Sequence, residues 1–160
     1  MRGEPQASDR GAGAPAPRST PLTIVSGAVA GDDLETVART ASDALGRPVA
    51  IAIPALGGPV CWPAGAIDHM RLRSVAMLAE HAIGGGDLQP PEGFADAIAV
   101  SIGEQAVGIL VAEGAGLASD ERAWLEAGAA AAAVTALMRE SHEGGVENSK
   151  RALLRALHAG

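Results

Sequence analysis

The residues that could do chemistry in this sequence are few: one cysteine, Cys61, four histidines, a glycine run and a scatter of charged side chains. A thiol becomes a nucleophile when a basic neighbour lowers its pKa. No His, Lys or Arg adjoins Cys61 in "PVCWP", so it reads as a small core side chain. His69, His81, His142 and His158 include no pair three or four residues apart, the helical spacing that brings two imidazoles to one metal ion. They read as surface histidines. The run Gly84-Gly85-Gly86-Asp87 has the look of a phosphate cradle. Neither a feeding strand nor a following Lys-Ser or Lys-Thr accompanies it, and a helix stop is the simpler reading. Asp68, Arg71 and Arg73 could meet a polar ligand, but they fit a solvated helix face. Ser101 has no nucleophile elbow and no His-Asp arrangement. The expectation is a non-catalytic protein without a metal or other cofactor.

Composition narrows the class further. The 160 residues suit one ordinary domain with a tail. Twelve basic against 19 acidic residues give a net charge of -7, and no stripe of Lys and Arg forms, which disfavours direct nucleic-acid binding. Aromatic stacking on single strands is equally disfavoured, with two Trp, one Phe and no Tyr. A single cysteine precludes an intramolecular disulfide framework and fits a reducing, cytoplasmic setting. Leu22 to Val29 and Ala127 to Met138 are too short to span a bilayer, and no secretory signal is apparent, so no membrane association is expected.

These residues must be positioned by a small set of elements. Residues 1–21, including "GAGAPAPRSTP", offer almost no large apolar side chain and read as a disordered tail. Residues 22–141 read as one compact domain, and 142–160 as a linker and the start of a further helix. Asp32 with Glu35 forms a candidate capping box for a helix whose apolar stripe is Leu34, Val37, Ala38, Ala41 and Leu45, ended by Gly46. "VAIAI" (Val49 to Ile53) and "PVCW" (Pro59 to Trp62) read as a hairpin through "PALGG". A helix follows from about Ala66 to Ile83, with Leu72, Val75, Ala76, Ala79 and Ile83 at helical spacing. A second hairpin carries "VSIGEQAVGILVAE", with its turn either at Gly103-Glu104, which the glycine favours, or at Glu104-Gln105. A long helix begins at Ser119, is broken by Gly144-Gly145, and another starts at Asn148 with Leu153, Leu154 and Leu157 on one side.

Strand alternation sorts the sheet into two faces. Val49, Ile51, Ile53, Ile98, Val100, Ile102, Val107, Ile109 and Val111 form a bulky face. Ala50, Ala52, Ala97, Ala99, Ser101, Ala106, Gly108, Leu110 and Ala112 form a mostly small one. The alanine run of the last helix, Ala129 to Ala133, is expected to lie on the small face. The fold class is α+β: an antiparallel sheet with helices on both faces.

The order helix, strand, strand, helix, strand, strand, long helix resembles the GAF domain, a sensing and dimerising module with PAS-like architecture. "DAIAVSIGEQAVGILVAEG" is similar to the family's last two strands, and "SDERAWLEAGAAAAAVTALMRE" to its closing helix. "ENSKRALLRALHAG" is similar to the segment after the GAF domain in actinobacterial PucR-like (CdaR-type) transcriptional regulators, where it leads toward an output domain. The resemblance implies a regulatory module that binds a small molecule, forms a homodimer, or both. The pocket would lie under the bulky face and the helix after the first hairpin, placing His69, Met70, Arg73, Met77 and His81 as ligand-facing candidates. Trp124, Leu125, Val134, Leu137 and Met138 are the candidate dimer residues. The cyclic-nucleotide signature of some members is unrecognisable, and a lone Cys61 cannot run the thiol cycle of the methionine-sulfoxide-reducing relatives. The competing expectations are a purely structural dimerisation or interaction domain with a filled pocket, and a small enzyme.

Overall fold

The chain enters its first helix through Pro21, whose fixed φ and missing N–H suit the first helical position. Helix α1 (Pro21–Val29) buries Ile24 and Ala28 and packs along the last helix. The computed structural model describes residues 20–159; residues 1–19, most of the expected tail, lie outside that span. Helix α2 (Leu34–Leu45) buries Val37, Ala38, Ala41 and Leu45, as its periodicity predicts, with Ser42 beside them. Its cap is Asp33, whose carboxylate accepts the Thr36 N–H at 2.8 Å. The expected Asp32 cap is displaced by one residue because the Asp32 N–H donates to the Gly27 carbonyl, closing the exit from α1. Gly46 ends α2 at φ +69°, a left-handed position that glycine reaches without a Cβ clash.

Strands β1 (Val49–Ala52) and β2 (Val60–Trp62) pair antiparallel through a short 3-10 turn, Pro54–Leu56. Helix α3 (His69–Ile83) starts three residues later than expected, where the Asp68 side chain accepts the Arg71 N–H at 2.9 Å. Strands β3 (Phe94–Ile102) and β4 (Gln105–Glu113) complete a four-stranded antiparallel sheet in the order β2-β1-β4-β3. Gly103 takes φ +64° at the first central position of the β3–β4 turn, where a type II′ hairpin turn requires glycine.

The register of that hairpin overturns the expected faces. Ile102 pairs with Gln105 and Ser101 with Ala106, so the turn centre is Gly103-Glu104, yet Val100 then pairs with Gly108 and not with Val107. Val107 is an extra residue in β4, a bulge that shifts the alternation by one. Ile109 and Val111 therefore lie with Ala50, Ala52 and Ala97, while Leu110 and Ala112 lie with Val49, Ile51, Ile53 and Val100. Large and small residues interleave within each layer. Gly108 is demanded by the close approach of β1: a Cβ there would sit 2.2 Å from the Ala52 carbonyl oxygen.

The two sides of the sheet belong to two core clusters. Val49, Ile51, Ile53, Val100 and Leu110 pack with Ile24 of α1, Val37 and Ala41 of α2, and Leu125, Ala129 and Ala132 of helix α4 (Ser119–Ala159). Ala50, Ala52, Ile109 and Val111 pack with Ile67, Phe94, and Val75, Ala79 and Ala82 of α3. On this side α2 lies over β1 and β2 while the alanine-rich helix lies over β3 and β4, so its alanines meet the side that carries Val100 and Leu110, contrary to the expected pairing of small with small. Packing at constant density favours this arrangement, since alanines on a helix leave room for large strand residues opposite.

Helix α4 runs unbroken for 41 residues. The expected break at Gly144-Gly145 does not occur. A glycine costs a helix interior only about 1 kcal/mol relative to alanine, and stretches of strong helix formers lie farther out on both sides, Ala129 to Glu140 before the pair and Lys150 to Leu157 after it. At 1.5 Å per residue α4 is about 60 Å long, and from Leu137 onward all its described side chains are exposed.

Candidate functional site

Three elements distant in sequence meet where α4 leaves the body of the domain. The α1–α2 turn and the start of α2 contribute Gly31 to Glu35, the β1–β2 connection and the start of β2 contribute Leu56, Gly58 and Val60, and α4 contributes Thr135, Met138, Arg139 and His142. Between them lies an open cavity of about 700 Å³, within the size range of small-molecule sites. The Thr135 hydroxyl donates to the Asp32 carbonyl at 3.2 Å and fixes the turn to the helix. Asp33 is held below its ordinary carboxylate pKa, first by the hydrogen bond from the Thr36 N–H and then by the Thr36 side chain. Its carboxylate is thereby committed to capping α2. Asp32 and Glu35 form no ion pair with any described residue. Arg139, on the helix wall, pairs with Glu143 at 3.6 Å.

A second cleft, of about 430 Å³, lies between the start of α3 and residues Pro91 to Phe94. Its cation is already engaged. The Arg71 guanidinium donates to Glu113 at 2.6 Å and to the Gly93 carbonyl at 3.3 Å, and lies 4.9 Å from the centre of the Phe94 ring. Arg71 thus joins α3, the end of β4 and the start of β3. On the far side of the sheet, Arg47 plays a similar part through Glu121 at 3.0 Å and the carbonyls of Glu113 and Gly116.

The ligand-facing candidates on α3 do not converge on a cavity. His69, Met70, Arg73, Met77 and His81 are all exposed, because α3 turns Val75, Ala79 and Ala82 toward the sheet. Met70 rims the second cleft, and none of the five lines the larger cavity. His81 lies against Gly86, where a Cβ would come within 2.1 Å of its Nε2. The region under α3 is occupied by Val75, Ala79, Ile109 and Val111, each fully buried. Cys61 is half-buried on β2.

The candidate dimer residues divide. Leu125 is fully buried in the core of its own chain; its helix faces the sheet at that turn. Trp124 and Val134 are partly buried against the same core. Leu137 and Met138 stand 47% and 44% exposed, with Met138 also lining the larger cavity. The exposed apolar surface continues in Leu153, Leu154 and Leu157, while Leu22 and Val29 expose the outer side of α1.

Sequence reasoning missed Asp32, Leu34, Leu56, Val60 and Thr135 as one site. Their lone signal was the polar Thr135 within an apolar helical run. Among the described residues, no three His, Cys, Asp or Glu side chains gather as a metal-binding group, and no helix is long and apolar enough to cross a membrane. No family model matches the chain, and no curated protein or solved structure matches it either.

Proposed function

We propose that the chain is a non-catalytic regulatory module resembling the GAF domain of PucR-like transcriptional regulators, acting in the cytoplasm as a homodimer. α4 carries information from the domain body to whatever adjoins its far end. The observation behind this reading is the course of α4: it starts in the core at Leu125, passes the cavity at Thr135 and Met138, and continues with Leu153, Leu154 and Leu157 exposed. A helix segment of about 20 residues without tertiary packing is marginal in water, and a second α4 would cover its leucines. A ligand in the cavity would bias α4 between two packings if its affinity differs between them. This module would neither bind nucleic acid directly nor sit in a membrane.

The filled region under α3 favours a second reading, in which the domain only dimerises or holds a protein partner. Sedimentation equilibrium tests the shared element of both. A reversible dimer that dissociates on Leu153→Glu with Leu157→Glu is expected. A monomer throughout the micromolar range would overturn the homodimer in both and leave only the partner-holding form of the second.

A further inference from the structure

We infer that Gly144-Gly145 is a hinge: α4, unbroken in the single chain, bends there when two copies pair in parallel through Leu153, Leu154 and Leu157. The hinge rests on the homodimer proposed above and sets how its two helices reach each other. Neither glycine is needed by the helix as it stands. Neither takes a left-handed φ, and a Cβ at either position would meet nothing within 4 Å. Alanine would hold the same helix more firmly, because glycine loses more backbone freedom on ordering. A pair that burdens this conformation and serves no packing need in it suits a second conformation, and glycine pairs are among the few places where long helices kink.

The phase of α4 points the same way. At about 100° per residue, Leu154 comes within about 20° of Leu125 around the helix axis, and Leu157 within about 20° of Ala132. Leu125 and Ala132 are fully buried, in one core cluster with Val100 and Leu110 of the sheet. The distal leucines therefore lie on the side of α4 that the domain itself occupies. Paired helices have axes about 8–10 Å apart, and at the level of Leu125 to Ala136 that space is filled by strands of the same chain. Two unbroken α4 helices joined in parallel along this side would drive each domain into the other. A bend between Ala136 and Leu153 removes the collision, and that interval holds no proline and no glycine besides Gly144 and Gly145. His142, the last residue of α4 at the larger cavity, lies two positions before the pair, so the bend falls just beyond the domain's edge.

Sedimentation equilibrium and amide hydrogen exchange on the full 160-residue chain test the hinge. Gly144→Ala with Gly145→Ala is expected to weaken the dimer about tenfold, while Ser141→Ala, which also raises helix propensity but lies outside the pair, leaves it within about twofold. Greater helix propensity alone would tighten the dimer, so the sign of the change decides. In the unmodified dimer the amides of Leu153 to Leu157 should exchange slowly and those just after the glycines fast. Protection that runs unbroken through the pair would overturn the hinge. So would an alanine variant that dimerises as well as the unmodified chain or better, the result expected of antiparallel helices, which need no bend. A chain that stays monomeric removes the homodimer and the hinge together, whereas a dimer indifferent to the alanines removes the hinge alone.

Discussion

The Thr135 hydroxyl donates to the Asp32 carbonyl at 3.2 Å, joining residues 103 positions apart in sequence and fixing the α1–α2 turn to α4. The bond stands at the wall of the larger cavity, where α4 changes from a core helix to an exposed one. Thr135→Val keeps the shape of the side chain and removes the donor, leaving a partly buried carbonyl short of a partner. Urea unfolding is expected to show a loss of about 1 kcal/mol. Stability equal to that of the unmodified chain would mean that water replaces the hydroxyl at no cost.

Gly108 meets the end of β1 so closely that a Cβ would lie 2.2 Å from the Ala52 oxygen and 2.7 Å from Ile53 Cγ1. Backbone cannot move aside as a flexible side-chain end can. Gly108→Ala should therefore cost about 3 kcal/mol, at the upper end of overpacking effects. Gly103→Ala has open space around it and should suffer only the left-handed strain, roughly 1–2 kcal/mol. Thermal denaturation that ranks the two in the opposite order would contradict the bulged register.

Asp33 caps α2, and its loss in Asp33→Ala should destabilise the domain by about 1 kcal/mol near neutral pH. Its folded pKa lies below the ordinary value of 3.8. The stabilisation is thus fully present above that ordinary value and disappears as pH falls through the lower, folded one. Denaturation curves of the two proteins should converge in acid below that range. A gap that persists undiminished would show that the ionised Asp33 carboxylate is not the source of the stabilisation.

The continuity of α4 through Gly144 and Gly145 gives a further test. Replacing both glycines with alanine should increase helicity by circular dichroism and stabilise this stretch by roughly 1–2 kcal/mol. Had the pair formed a turn, alanine would leave the helical signal unchanged or lower it.

Local chemistry made much of this fold legible. The stripe from Val37 to Leu45 with Gly46, the stop after Ile83 and the turn at Gly103-Glu104 all followed from periodicity and glycine placement. Helix α1 did not, because "PLTIVSGAV" is apolar on several sides and its partner, α4, lies a hundred residues away. The bulge at Val107 was hidden because "AVGILVA" alternates plausibly in either register; only the need of Gly108 for space distinguishes them. Gly144-Gly145 looked decisive locally and was outweighed by the helix on either side. The cavity was illegible for a different reason: residues near 33, 58 and 138 come together only through tertiary packing.

The regulatory reading depends most on pairing of α4 between two copies, which we propose to be parallel. A nitroxide placed at Ala156→Cys in a Cys61→Ser background, measured by pulsed dipolar spectroscopy, reports that pairing directly. Parallel helices with axes 8–10 Å apart would bring the two labels to a narrow distance distribution within about 30 Å, abolished by Leu153→Glu with Leu157→Glu. No dipolar modulation at concentrations where the chain sediments as a dimer would show that α4 is not the pairing element.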